Sequence, residues 1–349
     1  MAKNVRFGII GAGMISYFHA KAIQDAEGAE LVSVMSPRRP SLDKFLAVHQ
    51  VRDYDNLGSF LADPELDAVA IATPTGLHRD TAVPAAKAKK HVLCEKPLDI
   101  NPAKAQEIID ACRDNGVVLA PIFQYRFNSA AILVKRAINA GRFGKLLMAN
   151  ARIKWYRPQS YYDSGAWRGT WELDGGGCLM NQSIHAIDLF LHFAGRPVEV
   201  YGYTATAAHT RIEVEDNAVA VVRFDNGAFG VIESSTACEP GWPLEVEISG
   251  VGGTARIKAD ALDKWEFNTP DPAMDAEAAK LMETPAANSG ASDPKAISSL
   301  GHQKIVEAMV KAIRNGENSV IGGAEAKLPI ELICGIYEAV RTGKPAKLS

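Results

Sequence analysis

The chain has 349 residues, more than one domain usually holds, with 47% hydrophobic and 23% charged residues, a balance that excludes general disorder. Its 38 Lys and Arg against 41 Asp and Glu leave a net charge of −3, which gives no electrostatic reason for a nucleic-acid or membrane-surface partner. No apolar run reaches the length of a membrane span, and the N-terminal residues enter a short apolar strand without a signal-peptide pattern. Cys94, Cys112, Cys178, Cys238 and Cys334 are widely spaced and form no C-x-x-C pair, so a reduced, cytoplasmic protein without a metal site is expected.

Val5 to Ile10 is an apolar run suited to a strand buried on both faces. Gly11-Ala12-Gly13-Met14-Ile15-Ser16 follows, then helical spacing from Met14 to Asp25, then a second strand from Glu30 to Met35. Strand, glycine turn, helix and strand in this order make a dinucleotide-binding unit. Gly11 permits the tight turn, Gly13 allows close approach of a pyrophosphate, and Ser16 is small enough to replace a third glycine. The amides at the helix start face the phosphates. A glycine turn without a ligand is the competing reading.

The alternation continues. Leu66–Ala72 is a strand leading into Thr73-Pro74-Thr75, and a helix over 76–88 carries His78. His91–Cys94 is a strand ending at Glu95-Lys96-Pro97, Pro102–Asn115 is helical, and Val117–Ala120 is another strand. The class is α/β: a doubly wound parallel sheet over residues 1–122, followed by a second, α+β domain over 123–349. Ligands of such sheets sit beyond the strands' carboxyl ends, which places Gly11–Ser16, Ser36, Thr73–Thr75, His78, Glu95 and Lys96 along one cofactor-binding edge. The second strand is followed by Ser36-Pro37-Arg38-Arg39 rather than by the carboxylate that binds an NAD ribose. Ser36, Arg38 and Arg39 therefore favour NADP over NAD, unless both arginines are merely solvated.

Two residues are candidates for moving the proton during hydride transfer. His185 is one, since an imidazole in general can serve as an acid or base near neutral pH, and it lies in an apolar stretch, Cys178 to Phe193, that reads as a helix entered from Gly175-Gly176-Gly177. Asp188, three residues on, is positioned to orient the ring unless its reach goes elsewhere. A structural histidine is the alternative. Lys96 precedes a proline and is held extended at a strand end, aimed into the cleft, unless it is a surface lysine paired with Glu95. An aromatic-rich stretch, Trp155 to Asp163 and Trp167 to Trp171, suits sugar binding or an ordinary core patch; Tyr156 and Arg168 are its substrate-contact candidates.

The glycine turn, Glu95-Lys96-Pro97 and the segment Gly175 to Asp188, in this order and spacing, resemble the glucose–fructose oxidoreductase / inositol dehydrogenase / rhizopine-catabolism family nearly end to end. The resemblance implies a Rossmann domain, a C-terminal domain whose large, open, mainly antiparallel sheet covers the active site, and dimers or tetramers formed through that sheet. It implies oxidation or reduction of a secondary hydroxyl on a sugar, polyol or sugar nucleotide, and contacts from Gln124 to the cofactor and Arg126 to the substrate. Many members carry Asp four residues before the active-site His; here Asn181 stands there. Asn cannot take a proton, so Lys96 and His185 are left as the acid–base pair and Asn181 is assigned to a substrate hydroxyl. Redox-neutral elimination or glycoside cleavage through transient oxidation, and a non-catalytic dinucleotide sensor, are the competing functions.

Strand-like runs recur from Val198 to Lys258. Asp225-Asn226-Gly227 predicts one hairpin, and a second joins Leu244–Ser249 to Thr254–Lys258. Residues 268–294, rich in Pro, Ala, Asp and Ser, read as a mobile surface excursion. His302–Asn315 and Ala324–Arg341 are terminal helices.

Overall fold

The computed structural model describes residues 3–284, 291 and 299–348. The chain divides into two units, the described residues of 1–124 with 298–327, and of 125–297 with 328–349. The segment around 298–327 was expected with the second domain; it packs with the first instead.

The first unit holds β1 (Val5–Ile10), α1 (Met14–Asp25), β2 (Ala29–Met35), α2 (Arg39–Leu46), β3 (Arg52–Tyr54), α3 (Leu57–Leu61), β4 (Ala68–Ile71), α4 (His78–Lys87), β5 (His91–Cys94), α5 (Pro102–Asn115) and β6 (Leu119–Pro121). Its six strands pair in the order β3-β2-β1-β4-β5-β6, all parallel. The order reverses at β1, and the crevice beside that switch point is where a doubly wound sheet takes its ligand. Phe7, Ile9, Val69, Ile71, Val92 and Leu93 are fully buried, because helices cover both faces. A helix at Leu300–Asn315 closes this unit by packing on α1, and buries Ile305, Val306 and Met309.

The second unit holds α6 (Ser129–Asn139), β7 (Leu146–Lys154), α7 (Gln159–Asp163), a π-helical segment (Cys178–Ser183), α8 (Ile184–Ala194), β8 (Pro197–Ala205), β9 (Asn217–Phe224), β10 (Phe229–Ser235), β11 (Glu245–Gly250), β12 (Gly253–Lys258), β13 (Ala261–Phe267) and α9 (Pro272–Glu283). After α10, the Leu300–Asn315 helix of the first unit, come α11 (Gly323–Thr342) and β14 (Ala346–Lys347). Eight strands pair in the order β13-β12-β11-β7-β10-β9-β8-β14, antiparallel except for β7 with β10.

Both expected hairpins form. Gly227 takes φ +84° in the first, and Gly250 pairs with Gly253 at the end of the second. One face of the sheet packs on α8 and α6. Along β9 the residues alternate strictly, with Ala218, Ala220, Val222 and Phe224 buried while Val219 and Val221 point away, about half exposed.

Within 268–294, read as a mobile surface excursion, residues 272–283 form α9. Asp271 accepts the amides of Ala273 and Met274, and Pro272 sits in the first turn, where its missing N–H costs nothing. The composition hid a cap followed by good helix formers. Residues 285–290 and 292–294 lie outside the described residues. No described helix is long and apolar enough to cross a membrane, and no described group of three or more His, Cys, Asp or Glu side chains could hold a metal ion. All five cysteines are free thiols.

Candidate active site

In the first unit the turn after β1 has the shape expected of a phosphate cradle. Gly11 takes φ +105°, and a Cβ there would stand 2.7 Å from the carbonyl oxygen of Ala72. Only glycine relieves both constraints. At Gly13, the N-cap of α1, a Cβ would meet nothing within 4 Å, and no side chain caps the helix, so its first amides face open space. Ser16 is buried and bonds back to the carbonyl of Gly13, which fixes the first turn. At the end of β4 the buried hydroxyl oxygen of Thr73 has no partner among the described residues. An open cradle of amides and an orphaned hydroxyl on neighbouring strands suit a bound dinucleotide.

Other residues expected at the cofactor have internal partners as well. His78 is 1% exposed; Nδ1 lies 2.9 Å from the carbonyl of Pro97 and Nε2 3.1 Å from that of Thr73. The ring lies between the exits of β4 and β5, and burial lowers its pKa despite the pull of Asp99. Glu95 also has internal partners. Its Oε1 lies 2.9 Å from His19 Nε2 and 3.4 Å from His302 Nε2, and its Oε2 accepts the amide of Lys96 at 3.1 Å. Burial alone would raise this carboxyl's pKa; the hydrogen bonds from both histidines outweigh that and hold it well below the usual range. Glu95 is therefore a fixed anion that anchors the backbone of Lys96, and His19 and His302 are the functional neighbours that sequence reasoning missed.

Beyond β2, Ser36 is buried and its hydroxyl accepts the amide of Arg38. Arg39, expected at a cofactor phosphate, is exposed and pairs with Asp43 at 2.7 Å and Asp53 at 2.8 Å. Arg38 is exposed and has no side-chain partner among the described residues. Pro74 and Thr75 follow Thr73 into a short 3₁₀ turn, and Gln124 packs against Gly301.

The second unit presents His185 through the triple glycine. A Cβ on Gly177 would collide with the carbonyl of Glu215, and one on Gly176 with the Tyr337 hydroxyl. Glu215, buried, accepts the amides of Gly177 and Leu179 at 3.0 Å each and the Tyr337 hydroxyl at 2.9 Å. Its burial raises its pKa against these bonds. The expected α-helix over Cys178–Phe193 instead begins as a π-helical segment and becomes α-helical at Ile184. Such wide turns are frequent at functional sites. His185, 8% exposed, lies at the junction with its ring 5.2 Å from that of Tyr125.

Asp188 does reach elsewhere. Arg126 donates to it through Nε at 2.8 Å and Nη2 at 2.7 Å, and both side chains are nearly buried. Arg126, expected to contact the substrate, directs this fork at an internal carboxylate. Asn181, expected to fix a substrate hydroxyl, is also tied down. It donates to the Asp174 carboxylate and accepts Gln182 Nε2 at 2.6 Å. Gln182 also donates to the Tyr161 hydroxyl at 3.0 Å and accepts from Arg157 Nε at 3.1 Å. Arg157, 2% exposed, donates further to the carbonyls of Tyr156 and Ala291. Sequence reasoning missed Arg157, Tyr161, Asp174 and Gln182 as parts of this network, although all four adjoin residues it singled out. Tyr156 is half-buried beside them, and Arg168 stacks on Tyr161 and Trp167.

A dinucleotide cradle on a parallel sheet, and a histidine presented beside polar and aromatic groups on an open mixed sheet, define a nicotinamide-dependent oxidoreductase. Residues 5–123 match the oxidoreductase family with an NAD-binding Rossmann fold, and residues 132–256 match the GFO/IDH/MocA C-terminal domain. The chain belongs to this GFO/IDH/MocA oxidoreductase family. It is 31% identical over 265 residues to the myo-inositol 2-dehydrogenase of Thermotoga maritima, covering 73% of this chain and 75% of that one. It is 28% identical to the D-xylose 1-dehydrogenase (NADP(+)) 2 of Haloferax volcanii, over 98% of this chain and 99% of that one. Among solved structures, the WlbA dehydrogenase of Bordetella pertussis in complex with NADH and UDP-GlcNAcA is 34% identical with a TM-score of 0.88, over 99% of both chains.

Proposed function

We propose that the protein transfers a hydride between a nicotinamide dinucleotide and a secondary hydroxyl of a sugar or sugar nucleotide. The observation that carries this reading is the open amide cradle between Gly11 and Ser16, with the orphaned Thr73 hydroxyl on the neighbouring strand. The bound dinucleotide supplies the carbon that gives or takes the hydride. Lys96, its backbone held by Glu95, bonds the substrate hydroxyl and stabilises charge on that oxygen. His185 takes the hydroxyl proton on oxidation and returns it on reduction. The Tyr161, Asn181 and Gln182 network braces the segment that carries His185. Sugar dehydrogenases among the relatives support the substrate class. The test is a panel of free pyranosides, inositols and nucleotide sugars with each cofactor, read at the reduced-nicotinamide absorbance. Absence of turnover across the panel would overturn the proposal.

NADP is taken at least as well as NAD. The end of β2 lacks the carboxylate that would repel a 2′-phosphate, and Arg38 offers an uncommitted guanidinium. Arg38→Ala is expected to lower the NADP-to-NAD affinity ratio about tenfold, the value of a hydrogen bond to a charged group. Fluorescence titration of both reduced cofactors checks this; an unchanged ratio would refute it.

The protein assembles into a homodimer or homotetramer through the open face of its eight-stranded sheet. Tyr203, Val219, Val221 and Phe229 are 66%, 50%, 56% and 54% exposed there, and lie on the adjacent strands β8, β9 and β10. Beside this strip Arg152 pairs with Glu233 and Glu245, so apolar and charged areas adjoin. A second copy related by a two-fold axis meets the same pattern. Val221→Glu is expected to halve the mass measured by light scattering, or to reduce it to that of one chain.

A further inference from the structure

Arg168 is the one strongly basic side chain of the aromatic stretch that has no ion-pair or hydrogen-bond partner among the described residues. Its guanidinium carbon stands 4.2 Å from the Tyr161 ring centre and 4.6 Å from that of Trp167. Stacking on two rings holds the planar group in place while leaving its N–H edge unused. The neighbouring acids do not reach it. Asp163 pairs with Arg211 at 2.7 Å and accepts from Gln159. Asp174 accepts the Gly169 amide at 2.8 Å and the Asn181 side chain.

A second guanidinium, that of the buried Arg157, lies 5.6 Å from the same Tyr161 ring. Two guanidinium groups therefore share one ring. The Tyr161 oxygen accepts from Gln182, which leaves its own proton to donate. Gln182 belongs to the π-helical segment that runs into His185, so the cation is one tyrosine ring away from the element that carries the proposed base.

We propose that Arg168 and the Tyr161 hydroxyl form a subsite for an anionic substituent of the substrate. The ligand is a sugar bearing a carboxylate on its ring or a phosphate on its anomeric oxygen. Either anion accepts the flat fork of Arg168 in two parallel hydrogen bonds and takes a third from Tyr161. An uncharged sugar would leave this fork unmatched. This rests on the reading of the protein as a sugar-directed oxidoreductase, and it specifies which sugars.

The test is calorimetric titration of the NADH-loaded protein with UDP-N-acetylglucosaminuronic acid, UDP-N-acetylglucosamine, glucuronic acid and N-acetylglucosamine. At least one anionic probe is expected to bind about tenfold or more tighter than N-acetylglucosamine, as charge-assisted hydrogen bonds require. Arg168→Gln should bring that ratio close to one, and Arg168→Lys should restore part of it, since the charge returns without the fork. Loss confined to the two acids identifies the carboxylate as the recognised group; equal loss for both nucleotide sugars identifies the phosphate. Equal binding of neutral and anionic probes by the wild type, or an unchanged ratio in Arg168→Gln with its melting temperature preserved, would overturn the subsite. Binding is read without turnover, so a failure of the hydride-transfer reading would show separately, as anion-selective binding without any change in nicotinamide absorbance.

Discussion

Lys96→Met and His185→Ala are each expected to slow single-turnover hydride transfer by about two to four orders of magnitude, the usual contribution of a positioned acid–base group. Both substitutions leave the cradle from Gly11 to Ser16 untouched, so dinucleotide affinity should change little by comparison. The measurement is stopped-flow absorbance of reduced nicotinamide, with a substrate from the panel carrying protium or deuterium at the reacting carbon. Lys96 is placed for this by its neighbour. The Glu95 carboxylate, clasped by His19 and His302, accepts the Lys96 amide and fixes where the strand end points. His185 is fixed by the glycine entry and by Tyr125 against its ring. If either variant transferred hydride at a near-normal rate, the assignment of that residue would be wrong.

Arg126→Ala is expected to destabilise the second unit by about 3–5 kcal/mol, because it removes a two-bond cationic partner from a buried carboxylate. Asp188 is 1% exposed as a side chain and Arg126 9%, and they share two short hydrogen bonds. Removing the cation takes two short charge-assisted hydrogen bonds away from a buried anion. Arg126→Met combined with Asp188→Leu should recover much of the loss, since apolar groups of similar size replace a buried pair at little cost. Urea unfolding monitored by tryptophan fluorescence, together with the double-mutant comparison, checks this. A loss below about 1 kcal/mol for Arg126→Ala would place the pair among ordinary exposed bridges. Arg126 has a further use as a discriminator: a substrate contact would raise KM at unchanged stability, whereas an internal brace lowers stability.

The parts of the molecule legible in the sequence are those encoded locally. A five- or six-residue apolar run followed by glycines and a helical period specifies strand, turn and helix whatever the rest of the chain does, and β1, Gly11 to Ser16 and α1 form as read. Asp225-Asn226-Gly227 specifies a hairpin for the same reason. α9 was legible too, through Asp271 and Pro272, but average composition concealed it.

The partners of the charged side chains were not legible. Asp188 was read beside the histidine three residues before it, and only the folded chain brings to it an arginine 62 residues before it. Glu95 bonds a histidine 76 residues away and meets another on a helix near the end of the chain, so these partners are invisible to any short window. The sequence by itself determined the order of strands and helices, the glycine cradle and the family, because backbone propensity and hydrophobic period act over a few residues. Only the tertiary structure decided which cations remain uncommitted: Arg39 and Arg126 are neutralised by carboxylates distant in sequence, while Arg38 and Arg168 are not. A charge's availability depends on what folding packs beside it, and Coulomb attraction responds to distance in space rather than along the chain.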